Sequence, residues 1–131
     1  AMDSDELLRR TGKVIDEHIS DYYIFEIDTN PVACVALREF PGESTAELMH
    51  LYVSPSHTNQ GIGYKLTQFA IDQATERKLK RLITFTTQAF NYFKSKAGFD
   101  EGGLNDLPPE RRKEYERNGR NSKILIKHLT I

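Results

Sequence analysis

At Pro55 the spacing of apolar residues changes, and that change dictates the kind of sheet this chain can build. Upstream lie three segments rich in β-branched and aromatic residues: Tyr22 to Ile27, Val32 to Phe40 and Ala46 to Val53. They are closed in turn by Asp28-Thr29-Asn30-Pro31, Pro41-Gly42 and Ser54-Pro55. Such clusters between short apolar runs are turns, so the three segments predict an antiparallel meander. Downstream, Ile62, Leu66, Phe69, Ala70 and Ala74 fall at i, i+4, i+7, i+8 and i+12, one face of a helix running to about Lys78. Arg81 to Thr87 is then a short apolar strand. Strand, helix and strand in succession make a right-handed crossover whose two strands are parallel.

The remainder fits one domain spanning residues 1–131, a usual length for a single core. Ser4 to Ile19 reads as a helix, with Ser4 as N-cap and Leu7, Leu8, Val14, Ile15 and Ile19 at near-helical intervals; Gly12 weakens its middle. Ala1-Met2 looks like a cloning remnant and is left out of the fold reasoning. Ala89 to Lys96 is a second helix stopped before Gly98-Phe99. A polar stretch with Gly102-Gly103 and Pro108-Pro109 leads to a charged helical piece from Glu110 to about Arg117, and Ser122 to Leu129 closes the chain as a strand. The fold class is α/β (α+β), a mixed, mostly antiparallel sheet flanked by helices.

Composition removes several function classes. With a net charge of −1 no global field recruits nucleic acid or an anionic membrane. The single cysteine, Cys34, excludes an internal disulfide framework and a zinc site built on cysteine pairs, and it reads as a small core residue. His18, His50, His57 and His128 are scattered, without the i, i+4 pairing of a helical metal site, so no metal is expected. No apolar run approaches the roughly 20 residues that span a bilayer, and no signal peptide opens the chain, so a cytoplasmic, reducing setting is expected. Arg111, Arg112, Lys113 and Arg117 are interleaved with Glu110, Glu114 and Glu116, which reads as a solvated helix face with i, i+4 pairs.

The strongest local signal is Leu51-Tyr52-Val53-Ser54-Pro55-Ser56-His57-Thr58-Asn59-Gln60-Gly61-Ile62-Gly63. Two glycines at a helix start let backbone amides approach an anion, and the helix dipole favours a phosphate there. The stretch has neither the Gly-Lys-Ser/Thr of a P-loop nor the third glycine of a dinucleotide site. With Gln60-Gly61-Ile62-Gly63 as its core it resembles the acetyl-CoA pyrophosphate loop of the Gcn5-related (GNAT) acetyltransferases. Their usual Arg or Gln three residues before the first glycine is here Thr58. The order of strands and helices is also theirs.

The C-terminal half is more specific. Thr86-Thr87-Gln88-Ala89-Phe90-Asn91-Tyr92-Phe93, Gly98-Phe99 and the Leu107-Pro108…Arg111-Arg112…Tyr115…Arg120-Asn121-Ser122 block resemble the acetyltransferase domains of the N-acetylglutamate synthases. The resemblance runs from Leu8 onward; the family's first strand and first helix would lie before it. An edge strand missing from the sheet would leave room for a homodimer, and in long relatives this domain is fused to a larger biosynthetic protein.

The resemblance implies transfer of an acetyl group from acetyl-CoA, the cosubstrate, to the α-amine of L-glutamate, directly in a ternary complex. It carries Glu47 to the catalytic base, the backbone N–H of His50 to the oxyanion donor, and Thr86 to a hydroxyl near the thioester. Leu51, Tyr52 and Val53 offer strand edge to the pantetheine arm. Gln60, Gly61, Ile62 and Gly63 take the pyrophosphate, and Asn91 is a further cofactor contact. A dicarboxylate acceptor calls for fixed cations, and Arg10 and Arg120, with the hydroxyl of Ser122, occupy the family's glutamate-binding positions. Two other readings stay open from the sequence: acetylation of another small amine, and a non-catalytic domain that binds coenzyme A.

Overall fold

The structure, a computed structural model, describes residues 6–10, 13–15, 18–58, 60–119 and 121–129. The first five strands are β1 (Glu6–Arg10), β2 (Lys13–Ile15), β3 (His18–Ile27), β4 (Asn30–Phe40) and β5 (Thr45–Val53). Helix α1 (Ile62–Glu76), β6 (Arg81–Thr86), α2 (Phe90–Ser95), β7 (Asp100–Glu101), α3 (Pro109–Glu114) and β8 (Lys123–His128) complete the order. The strands form one eight-stranded sheet in the order β1-β3-β4-β5-β6-β8-β7, with β2 also beside β3. The pair β5–β6 is parallel, as the crossover through α1 requires, and the others are antiparallel.

Asp28 and Thr29 join β3 to β4 with φ of 53° and 66°. Two left-handed residues in a two-residue loop match the twist of the flanking strands. Helix α1 buries Ile62, Leu66, Ala70, Ile71 and Ala74 in a core shared with Val35, Leu37, Ala46, Leu48, Leu82 and Leu125. At about 1.5–3 kcal/mol for each large apolar side chain removed from water, this face holds most of the favourable burial. A second cluster, Phe40, Ile83, Leu107, Ile124 and Ile126, lies on the opposite face, with Phe85 and Tyr115 packed against it. Strand β6 is therefore apolar on both sides, Leu82 towards α1 and Ile83 towards α3, and it reads as a continuous apolar run.

Arg77, just beyond the last turn of α1, ties that helix to the meander. Its guanidinium donates to Asp21 at 2.6 Å, to the Tyr23 hydroxyl at 2.9 Å and to Glu39 at 3.3 Å. Burial opposes its charge, but Asp21, Tyr23 and Glu39 outweigh that and hold its pKa above the ordinary arginine value.

The expected N-terminal helix is not formed. Glu6–Arg10, Lys13–Ile15 and the start of β3 are strands instead, while Ser4 and Gly12 lie outside the described residues. The outer edge of β3 presents a row of backbone donors and acceptors, and pairing Glu6 with Ile27 through Arg10 with Tyr23 satisfies them. Val14, Ile15 and Ile19 are β-branched, and the helical spacing is broken at Gly12, so the ladder outweighs a weak helical pattern. The charged helix ends sooner than expected, at Glu114, and runs on as a π turn, Tyr115–Gly119. The two-residue strand β7 has no signal in the sequence.

Candidate active site

The site begins where β5 leaves β6. The parallel pairs run from Thr45–Arg81 to Glu47–Ile83. On the other side of β5 the register with β4 jumps: Cys34 faces Tyr52 but Ala36 faces Met49, so Val35 alone stands opposite His50 and Leu51. His50 takes a φ of 55° there. A bulge of this kind bends and twists its strand, and β5 swings away from β6. The buried Thr84 hydroxyl donates to the Leu48 carbonyl at 2.9 Å just past the last ladder pair. The gap is a cleft of about 290 Å³, walled by Leu48, Met49, His50 and Leu51 on one side and Thr84, Phe85 and Thr86 on the other, with Ala89 and Phe93 behind.

One end of β5 leads to the glycine turn. Gly61 has φ 77° and ψ 8°, a left-handed conformation that glycine adopts without strain, and its carbonyl accepts the first helical bond from the Lys65 amide at 3.0 Å. The amides of Ile62, Gly63 and Tyr64 are first-turn donors without an intrahelical acceptor, which makes this end an anion cradle. A Cβ on Gly63 would meet only the Val53 methyl at 3.8 Å, an ordinary contact. Gln60 is exposed and Ile62 is buried in the core. Leu51 and Val53 are half-buried, and Tyr52 turns outward.

Glu47 stands beside the cleft in the cross-strand row Arg38–Glu47–Ile83–Ile126, on the face that α3 covers. It is 5% exposed and does not line the cleft among the described residues. Arg111 of α3 holds it with two donors, Nε to Oε1 at 2.7 Å and Nη2 to Oε2 at 3.3 Å. The same guanidinium lies 4.1 Å over the ring of Phe85, a cleft residue. Arg38 is equally engaged, donating to Glu114 at 2.9 and 3.1 Å and to Glu110 at 3.0 Å. Its burial opposes the charge, but the hydrogen bond to Glu114 and the carboxylates of Glu114, Glu110 and Glu47 raise its pKa above the ordinary value.

The basic run on α3 is therefore only partly a solvated face. Arg112 makes an i, i+4 pair with Glu116 at 3.6 Å, as expected. Arg111 instead points into the sheet, because the row of charges on β4 and β5 needs countercharges from the element packed on it.

Other sequence-derived candidates fall in different places. The Thr86 oxygen accepts the Ala89 amide at 2.8 Å and the Gln88 amide at 3.2 Å, so it closes the turn that leads into α2 while lining the cleft. Asn91 is exposed on α2, whereas Tyr92 bonds Thr67 of α1 at 3.3 Å through its hydroxyl. The His50 ring packs on Tyr22, with centroids 5.6 Å apart, and its carbonyl accepts the Cys34 thiol at 3.5 Å. Ser122 is half-buried, and its carbonyl accepts the Tyr115 hydroxyl at 2.7 Å. Arg10 stands in β1 opposite Tyr23 in the register. Arg120 lies outside the described residues. Sequence reading missed Arg38, Thr84, Phe85, Arg111 and Tyr115; only the strand register, which places Arg38 beside Glu47, could have pointed to the charged row.

Residues 2–99 match the model of the acetyltransferase (GNAT) family. The amino-acid acetyltransferase of Neisseria meningitidis serogroup A is 37% identical over 123 residues, covering 94% of this chain and 28% of its own length. That of Mannheimia succiniciproducens is 31% identical over the same share of each chain. Among solved structures, the N-acetylglutamate synthase of Neisseria gonorrhoeae complexed with coenzyme A and N-acetyl-glutamate superposes with a TM-score of 0.79 at 35% identity, over 84% of this chain and 26% of that one. The chain thus spans little more than a quarter of the length of these relatives.

Proposed function

The chain belongs to the acetyltransferase (GNAT) family, and from that premise we propose that it moves the acetyl group of acetyl-CoA to the α-amine of L-glutamate. The observation that carries this reading is the cleft between β5 and β6, which runs beside the buried Glu47–Arg111 pair and lies along the strand that leads to the Gly61 turn. Similarity to amino-acid acetyltransferases over 94% of the chain supports an amino acid as acceptor. The N-acetyl-glutamate bound to the gonococcal synthase supports glutamate.

In this reading the pyrophosphate of the cosubstrate sits on the turn Gln60, Gly61, Ile62 and Gly63, against the free amides of the first turn of α1. The pantetheine arm runs along Leu51, Tyr52 and Val53, with Asn91 beside it, and brings the thioester to the fork of the cleft. The acceptor enters as an ammonium and must lose a proton before its nitrogen attacks the thioester carbon; Glu47 takes that proton, directly or through water. A C–N bond forms and the carbonyl oxygen becomes an oxyanion, which the backbone N–H of His50 stabilises from the bulge. The C–S bond then breaks; the attacking nitrogen, which still carries two protons, gives one up, and that proton reaches the departing thiolate by way of the Thr86 hydroxyl, whose oxygen is polarised by the two amides it accepts. Arg10, Arg120 and Ser122 hold the acceptor's side-chain carboxylate. No covalent enzyme intermediate is needed.

Thiol release from acetyl-CoA, followed with L-glutamate against a panel of other amines, tests the reading. Glutamate-dependent release that Arg120→Ala abolishes supports it. Release with another amine but not with glutamate keeps the fold and removes the acceptor. No release with any amine, alongside thermal stabilisation by coenzyme A, means the chain binds the cofactor without catalysis.

A further inference from the structure

Glu47 and Arg111 present a puzzle of access. The carboxylate that is to receive a proton is 5% exposed, has both oxygens on one guanidinium, and does not line the cleft among the described residues. The guanidinium that covers it stacks on a cleft residue, Phe85, at 4.1 Å. Neither member lines the cleft among the described residues, but the Arg111 side chain is the more exposed of the two, 17% against 7%, and is the one in contact with a cleft residue.

An α-amino acid carries an ammonium and a carboxylate on one carbon, the complement of this pair in miniature. We propose that the α-amino-acid acceptor inserts into the Glu47–Arg111 pair, its α-carboxylate taking Arg111 and its α-ammonium taking Glu47. The proposal rests on the reading that an α-amino acid is the acetyl acceptor. One buried ion pair is exchanged for two, so no charge is left without a partner at any stage. Arg111 can make the exchange for three reasons. Its fork suits any carboxylate bidentately. Its stack on a ring face tolerates sliding. Glu114 lies 3.6 Å from its Nη1, a second anion that keeps the cation in place while the partners change.

The exchange also places the proton transfer. Insertion lays the ammonium against the Glu47 carboxylate only when a neighbouring carboxylate has drawn Arg111 away. An amine lacking the α-carboxylate leaves the base covered by Arg111. Specificity for α-amines thus comes from opening the base as well as from binding, and Arg10 and Arg120 are left to the side-chain carboxylate.

The test compares L-glutamate with 4-aminobutanoate, which is glutamate without its α-carboxylate, in wild type and Arg111→Gln. In wild type kcat/KM should favour glutamate strongly. In Arg111→Gln the KM for glutamate should rise at least tenfold, the KM for acetyl-CoA should stay the same, and the preference over 4-aminobutanoate should shrink by a similar factor. A variant with the wild-type glutamate KM and preference overturns the proposal.

The second readout uses the wild-type protein with coenzyme A bound, and no variant need be active. The arginine Nε–H resonance that disappears in Arg111→Lys should shift on titration with L-glutamate and stay in place with 4-aminobutanoate. An unmoved resonance in protein that turns over glutamate overturns the insertion while leaving the proposed function intact. Absence of turnover with every amine instead removes the proposed function, and the same titration still decides whether the pair opens.

Discussion

The hydroxyl of Thr84 donates to the carbonyl of Leu48 at 2.9 Å, one residue past the last pair that joins β5 to β6. A side chain there takes up a strand carbonyl where the backbone ladder between β5 and β6 stops, and it marks where the sheet divides. Thr84→Val keeps the shape but leaves a buried carbonyl unpaired, at a cost of about 1–3 kcal/mol. Its melting temperature should fall by roughly 3–12 °C, and Thr84→Ser should recover most of the loss. Thermal unfolding of the three proteins checks this.

Glu47→Gln removes the proposed proton acceptor but keeps an oxygen for one bond from Arg111. General-base catalysis contributes roughly 10²–10⁴-fold, so kcat for thiol release should fall by that order with a native circular dichroism spectrum. A variant with full kcat would show that the acceptor loses its proton elsewhere.

The two glycines of the turn should separate under substitution. Gly61→Ala places a Cβ in open space but at φ 77°, so it costs about 1–2 kcal/mol of backbone strain and lowers the melting temperature. Gly63→Ala gains only the 3.8 Å contact with Val53 and should leave stability within about 0.5 kcal/mol of wild type. Any rise in the acetyl-CoA KM of the second variant then reports how closely the cofactor approaches the backbone. Steady-state kinetics beside melting curves distinguish the two effects.

Burial raises the pKa of the Cys34 thiol above its ordinary value. The folded chain thus holds that proton more tightly than the unfolded chain. The associated stability is complete below the unfolded thiol value, near about 8.5, and is lost as pH rises from there through the folded value. Alkylation by iodoacetamide, followed by mass spectrometry, should be slow at neutral pH and accelerate only above the ordinary thiol range. The alkaline fall in melting temperature should be shallower in Cys34→Ala.

The parts of this molecule legible in its sequence are those written in local spacing. The alternating segments up to Val53, the apolar stripe from Ile62 to Ala74 and the parallel return through Arg81 are found where expected. The N-terminal strands were hidden because their reason is the open edge of β3, which no spacing within Leu7 to Ile19 records. For the same reason Glu47 could be named but its partner could not. Arg111 is 64 positions away, and only the seating of α3 on the row that begins at Arg38 brings the two together.

A sheet that divides part of the way along opens a slot at the fork. The residues around the slot come from both sides: Leu48 and Thr84 near the α1 layer, Met49 and Phe85 near the α3 layer. In the proposed reaction the cosubstrate and the acceptor would therefore have two layers of the fold from which to reach the fork.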